Sequence, residues 1–315
     1  TISSNVTGVQ TCALPISWKI MINLATLATN SGDKLTQGFI NELVTDNYLL
    51  GALTFDNCMN ASGTSDLVYG YKRVKTPSSA AFRALGAEPV ASEPTVEKKT
   101  TTLGILGSTF QMDRVAKAAA DDLYEMYLEQ AKDAVSRKFN ASIFAPTKDA
   151  NGFDGLAAAL KTTSTEMTSK TDVKVTTKEA ALAYLEELDT MLSNLMRTPD
   201  VLMMNAAQYT KLNALLRVVG LGTESKETAG NVVQAYNGIA IHEVRDGSIT
   251  DGSVYAACLG MDGFHGITLQ GDNAFTVALP DWTTPGAVKS VDVEFVCGVA
   301  LKATKAAGVL KPKAA

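Results

Sequence analysis

A run without proline or glycine, Asp113 to Phe139, restricts the possible folds more than any other feature of the chain. Within it Val115, Ala119, Leu123, Met126, Tyr127, Ala131, Ala134 and Val135 recur at steps of three and four residues, the period of a helix with one apolar stripe. At a rise of about 1.5 Å per residue such a helix reaches roughly 40 Å, well beyond the mean globular helix. The stripe is narrow and alanine-rich, so a sheet or hairpin can approach it closely while the other faces meet water. The rod reads as a brace along a flat molecule; an ordinary core helix is the alternative.

The segment before the rod is extended. Leu67 to Val74 places Leu67, Tyr69 and Tyr71 on one face, the alternation of a half-exposed strand. Pro77 to Pro94 is rich in Pro, Gly, Ser and Ala, and the chain returns through Val96 to Met112 with Thr100, Thr101 and Thr102 in sequence. That connection is far longer than an ordinary hairpin loop, and inside a compact monomer it would argue against strands altogether. A ribbon that packs on another subunit removes the conflict, so residues 67–112 are expected to form an extended hairpin. Ahead of it, Asp33 to Asn57 reads as an arm whose Phe39, Leu43, Leu49 and Leu50 dock on a neighbouring surface.

After the rod the elements alternate. Asn151-Gly152 signals a turn before a short helix around Phe153 to Leu160, and Thr162 to Thr177 reads as a polar surface loop or edge. Thr176 and Glu179 form a capping-box pattern ahead of a helix striped by Leu182, Leu185, Leu188, Leu192 and Leu195. Pro199 ends that helix, Asp200 to Met204 reads as a buried strand, and Asn205 is placed to cap a helix carrying Tyr209, Leu212, Leu215, Leu216 and Val219. Gly220 to Asn231 is expected as a loop. Strands are expected at Ile239 to Val244, Val254 to Leu259, Phe275 to Leu279 and around Val291, Val293 and Phe295. The pattern is α+β, without an internal repeat.

Most chemistry lacks its usual carriers. The 315 residues are 46% hydrophobic and 19% charged with a formal net charge of -5, enough for real cores but without the global basic field that holds nucleic acid. The longest apolar runs, such as Val201 to Met204 and Val254 to Leu259, fall far short of the roughly 20 residues a membrane helix needs. Cys12, Cys58, Cys258 and Cys297 show no metal-ligand spacing and read as reduced thiols; His242 and His265 read as structural residues on a strand and a loop edge. Gly220-Leu221-Gly222 begins like a dinucleotide loop, but the third glycine is missing and the segment follows a helix. No phosphate loop, zinc helix or nucleophile elbow is present. Asp121-Asp122 and Glu186-Glu187 lie mid-helix, where neighbours diverge, and read as solvated faces. Asn60-Ala61-Ser62 and Asn140-Ala141-Ser142 match the glycosylation triplet without a secretory signal, and no sugar is assigned. The expectation is therefore no catalytic site, no cofactor and no metal.

Val6 to Ile16 resembles the in-frame translation of a short-read sequencing adapter. Residues 1–20 are accordingly expected to be non-native, with Met21 the first plausible native residue; such a junction can also cut away authentic upstream sequence.

Several short motifs occur in an order that resembles the major capsid proteins of tailed bacteriophages. They are Ala81-Phe82-Arg83-Ala84-Leu85-Gly86, Leu103-Gly104-Ile105-Leu106-Gly107, Phe153-Asp154-Gly155-Leu156, Pro199 to Asn205, and Tyr236-Asn237-Gly238-Ile239-Ala240-Ile241. The resemblance implies the HK97-like α+β fold: an N-terminal arm over residues 21–66, an extended hairpin (E-loop) over 67–112, a peripheral domain with a spine helix over 113–177 and 270–315, and an axial domain over 178–269. It further implies a homo-oligomer of hexamers and pentamers, assembled in the host bacterial cytoplasm into a virion capsid around double-stranded DNA. Scaffold, portal and head-decoration proteins would be the other partners. Inter-subunit contacts are expected at Tyr71, Arg73, Lys75, Phe82, Arg83, Lys98 and Lys99. Some relatives cross-link hairpin lysines to asparagines, but no complete triad accompanies Lys72, Lys75, Lys98 and Lys99, and a non-covalent shell is expected. A bacterial encapsulin shell is the nearest rival; a cytosolic α/β enzyme with residues 220–231 as a lid is the rival from another class.

Overall fold

The computed structural model describes residues 48–58, 67–88, 90–114, 117, 121–171, 177–221, 224–228, 231–269 and 275–313. The adapter-like segment, Phe39, Leu43, Asn60 and Thr176 lie outside them. The described helices are α1 (Tyr48–Ala52), α2 (Asp121–Phe144), α3 (Leu156–Leu160), α4 (Lys178–Ser193) and α5 (Ala206–Val219). The strands are β1 (Phe55–Asn57), β2 (Val68–Thr76), β3 (Thr95–Thr102), β4 (Gly104–Asp113), β5 (Glu166–Thr168), β6 (Val201–Asn205), β7 (Glu224–Thr228), β8 (Asn231–Tyr236), β9 (Ile239–Val244), β10 (Val254–Ala257), β11 (Phe264–Thr268), β12 (Phe275–Ala278), β13 (Val288–Leu301) and β14 (Ala307–Lys311).

Three sheets result. β2 and β3 form a two-stranded antiparallel ribbon that joins neither of the others. Strand β13 organises the second: its first half lies between β4 and β12, and its second half pairs with β11, which pairs in turn with β1. The third is a seven-stranded mixed sheet in the order β5-β14-β10-β6-β9-β8-β7. The fold class is therefore mixed α+β, as the element pattern implies.

Helix α2 presents one stripe to the second sheet. Tyr124, Leu128, Ala131, Val135, Phe139 and Ile143 follow one another at three- and four-residue steps and are all buried. Phe139 sits 5.6 Å from the Phe295 ring of β13 and 5.8 Å from Phe153, which ties helix, sheet and the α2–α3 connection into one core. The helix differs from its sequence-based bounds at both ends. Asp113 belongs to β4, paired with Val288, so the sheet ladder overrides helical periodicity there. At the other end, Ile143 and Phe144 extend the buried stripe and the next proline is Pro146. Ala134 faces solvent and Tyr127 is 39% exposed, which narrows the stripe further. Gly155 abuts the end of α2 so closely that a Cβ there would lie 2.1 Å from the Ser142 carbonyl oxygen.

A second core lies between the seven-stranded sheet and the paired helices α4 and α5. Ala181, Tyr184, Leu185, Leu188 and Met191 are buried on α4, whereas Leu182, expected on the stripe, is 47% exposed and Ala181 takes its place in the core. The cap of α4 is Thr177, whose hydroxyl accepts from the Ala180 amide at 3.2 Å; the expected box started one residue earlier. Asn205 caps α5 as expected, accepting from Gln208 N at 2.8 Å. Residues 220–231 are not a plain loop: β7 pairs with β8 and forms the sheet edge, and Asn237-Gly238, at φ 49° and 74°, makes the tight turn from β8 to β9.

The first described residues are corrected as well. Leu49, Leu50 and Leu53 are 2%, 1% and 1% exposed within this chain's own core, and β1 adds to the sheet at β11. Leu49 and Leu50 therefore dock at home and not on a neighbouring surface.

Candidate assembly interface: the hairpin and its root

The hairpin is shorter than its sequence pattern. Its pairing ends at Val68 with Thr102, and from Gly104 the chain runs as β4 in the sheet of β13. Gly104 allows that crossing: a Cβ there would stand 3.3 Å from the Asn151 carbonyl and 3.4 Å from the Phe153 amide.

Alternate residues of β2 fasten the ribbon to the body. The Tyr69 hydroxyl donates to Asp56 Oδ2 at 2.6 Å, the Tyr71 hydroxyl to the Leu301 carbonyl at 2.9 Å, and Arg73 Nη1 to Thr304 Oγ1 at 2.6 Å. Strand geometry explains the choice, because side chains two apart share a face and here that face lies over the end of β13. Arg73 also pairs with Glu97 across the ribbon, Nε donating at 3.0 Å, and this contact holds the Glu97 carboxyl below the usual range. Lys302 completes the root, 3.8 Å from Asp56 and 5.6 Å over the Tyr69 ring. Burial, and then the Asp56 hydrogen bond, push the Tyr69 phenol well above its ordinary pKa; burial also raises that of Tyr71.

His265 lies beneath this root. It sits in β11, fully buried and not at a loop edge, 5.8 Å from the Tyr69 ring in an edge-on arrangement. Its Nδ1 is 3.5 Å from the Gly263 carbonyl, and its buried Nε2 has no hydrogen-bond partner among the described residues. Burial first, and Lys302 second, lower its pKa. His242 stacks on Tyr48 at 4.3 Å, and burial lowers its pKa too.

Beyond Thr76 the ribbon opens into a long exposed lobe. Ser79 and Ser92 hold its limbs together, with Ser79 N donating to Ser92 Oγ at 2.8 Å. At the tip, Arg83 Nη1 donates to the Ala87 carbonyl at 2.9 Å around a turn in which Gly86 has φ 84°. Phe82 is 109% exposed and Leu85 104%, so nothing among the described residues covers either.

The sequence-derived contact residues thus fall into two groups. Tyr71 and Arg73 have their polar groups engaged within their own chain, at the root. Lys75, Phe82, Arg83, Lys98 and Lys99 are exposed along the ribbon and its tip. Asp56, Glu97 and Thr304 went unremarked in the sequence; Thr304 lies 231 positions from Arg73, and strand alternation alone does not pair Asp56 with Tyr69 or Glu97 with Arg73. Glu187 is a further correction: it accepts from Ser169 Oγ, Lys170 N at 3.1 Å and Thr171 Oγ1 at 3.1 Å, clamping the segment after β5 instead of merely facing solvent.

Among the described residues no cluster of His, Cys, Asp and Glu could hold a metal, and no helix is long and apolar enough to cross a membrane. Cys58, Cys258 and Cys297 are buried. An open cleft is lined by Asn205, Gln208, Lys211, Asp251 and Lys313.

No family model and no curated protein matches the sequence. Solved structures do match. The capsid of a native GTA particle aligns with a TM-score of 0.62 at 13% identity, over 84% of this chain and 90% of that one. The capsid of Myoviridae phage XM1 aligns at 0.53 and 12% identity, over 81% and 89%. This is the HK97-like capsid fold. In its terms, α2 is the spine helix and the β2–β3 ribbon the E-loop. The holo-SrpI encapsulin complex of Synechococcus elongatus PCC 7942 shares it, with a TM-score of 0.58 and 11% identity over 84% and 86%.

Proposed function

We propose that the chain is the structural subunit of an icosahedral phage head. Copies assemble into hexamers and pentamers that enclose packaged double-stranded DNA, without a catalytic site and without sequence-specific contacts to the genome. The observation that carries this reading is the hairpin tip: Phe82 and Leu85 stand fully exposed at the end of a ribbon with a fastened root. Two large apolar side chains gain nothing from water there and are buried only when a neighbouring subunit receives them. Arg83 stands beside that contact, and Lys75, Lys98 and Lys99 would add further inter-subunit contacts along the ribbon. Many modest contacts of this kind, repeated by symmetry, add up to a stable particle through avidity. Assembly would take place in the host bacterial cytoplasm, with scaffold, portal and decoration proteins as partners.

The test is expression of residues 21–315 followed by gel filtration and negative-stain microscopy. Capsomers, tubes or closed shells support the proposal, and a small compact oligomer contradicts it. The encapsulin likeness favours a second reading, a cargo shell. Particles purified from the native source separate the two: nuclease-protected double-stranded DNA supports a phage head, and a co-purifying enzyme without a genome supports a compartment.

A further inference from the structure

One buried imidazole lies where β1, β11, the end of β13 and the ribbon meet. His265 and Ile267 of β11 share a face with Asp56, the partner of Ile267 in β1, and with Ala300, the partner of His265 in β13. Lys302 lies two residues beyond Ala300. Tyr69 and Tyr71 of the ribbon pack over that face, with the Tyr69 ring edge-on to His265 and its hydroxyl donating to Asp56.

His265 is 0% exposed. Its Nδ1 faces the Gly263 carbonyl, which can only accept, so the neutral ring carries its proton on that side. Nε2 is then a bare lone pair, and among the described residues nothing donates to it. A second proton would turn it into a buried cationic donor without an acceptor, a much costlier group to hold away from water. The titratable and charged groups around the ring offer it no ready partner. Asp56 is engaged by Tyr69 and lies 3.8 Å from Lys302; Lys302 is itself a cation; Cys58, Tyr69, Tyr71 and Arg73 complete the surroundings.

We propose that His265 is a pH-sensitive latch for the ribbon root: protonation of Nε2 in mild acid displaces Tyr69 from Asp56 and loosens the inner end of the ribbon. Tyr69 is the cover that yields, because β1, β11 and β13 are tied into one sheet whereas the two-stranded ribbon joins no other strand. Fastened, the imidazole is held below its ordinary value by burial first and by Lys302 second, against the opposite pull of Gly263 and Asp56. Released, it meets water and titrates near the unperturbed value of about 6.5. The released form binds the extra proton, so the fastening is complete above that pH and weakens as pH falls below it. Arg73 holds Glu97 below the usual carboxylate range, so the outer ion pair of the ribbon keeps its charge over the same interval. The latch acts within one chain and does not rest on the shell reading.

Hydrogen-exchange mass spectrometry of the full chain at pH 7.5 and 5.5, corrected for the intrinsic exchange rate, tests it. One proton taken up over one pH unit changes an opening equilibrium by at most about tenfold, so exchange in residues 68–76 should accelerate roughly threefold to tenfold relative to α2. His265→Phe keeps a buried ring beneath Tyr69 without a titrating nitrogen, and His265→Gln is a second neutral replacement. Either variant should abolish the acceleration and stay within about twofold of wild type at pH 7.5. Ribbon exchange that tracks α2 at both pH values, or an acceleration that survives both substitutions, overturns the latch. A pH series on the wild-type chain needs no variant: loosening should set in just below pH 6.5, and an onset only below about pH 4.5, where carboxylates titrate, overturns the assignment to His265.

Discussion

The Tyr71 hydroxyl reaches the Leu301 carbonyl at 2.9 Å across 230 positions of sequence, and with it the hairpin is hinged to the end of β13. The neighbouring contacts, Tyr69 to Asp56 and Arg73 to Thr304, place the same ribbon face on three successive points of the body. From Val74 outward that fastening ends. Root and lobe should therefore behave differently.

Tyr71→Phe removes one hydrogen bond and keeps the ring. A net intramolecular hydrogen bond is worth about 0.5–1.5 kcal/mol, so amide exchange in residues 68–76 should accelerate by roughly threefold to tenfold. Exchange in α2 should not change. Hydrogen-exchange mass spectrometry reads both regions in one experiment, and uniform acceleration of the two would refute a local root.

Gly155→Ala places a methyl 2.1 Å from the Ser142 carbonyl and 2.5 Å from that of Ile143, both backbone atoms that cannot swing away. Forcing the connection off the end of α2 should destabilise the subunit by about 1–3 kcal/mol. Urea denaturation checks it; an unchanged midpoint would mean that the two segments do not pack as described.

Acid should weaken the subunit through its histidines. Burial lowers the pKa of both His242 and His265 in the folded state below the ordinary 6.5. The unfolded chain then binds more protons, so this contribution is fully present above pH 6.5 and is lost as pH falls from there toward the folded values. The urea midpoint should fall between pH 7.5 and 5.5, and His265→Gln should flatten the decline. A midpoint that rises on acidification would give the wrong sign.

Hairpin lysines are expected to act as charges and not as cross-linking nucleophiles. Lys99 lies 3.8 Å from Glu97, within ion-pair range, and Lys98 is solvent-exposed. Boiled, reduced particles on denaturing gels should therefore run as single chains; a ladder of covalent multimers would contradict this.

Local signals in the sequence carried well where the physics is local. The Asn205 cap, the buried strand after Asp200 and the stripe through Ala131 and Val135 depend on neighbours within a few residues, and they stand in the structure. Errors concentrated where distant pairing wins. Asp113 reads as helical but is held in β4 by Val288, and residues 220–231 read as loop because a polar strand at a sheet edge has no apolar alternation to reveal it. Leu49 and Leu50 read as a sticky arm because nothing local shows that the cavity they fill lies in their own chain. Of the site, the long connection from Pro77 to Pro94 was legible from its composition, whereas Phe82 stood out only through the capsid resemblance. The fastening of Tyr71 and Arg73 was not, since both partners come from the far end of the chain.

The central claim is that the fastened, exposed hairpin builds the particle. Replacing residues 77–94 by a short glycine-serine turn, which keeps the root strands, tests it most directly in sedimentation velocity beside the intact chain. The account predicts large particles from the intact chain and only capsomers or single subunits, still folded by circular dichroism, from the shortened one. A shortened chain that forms the same large particles in the same yield would contradict it.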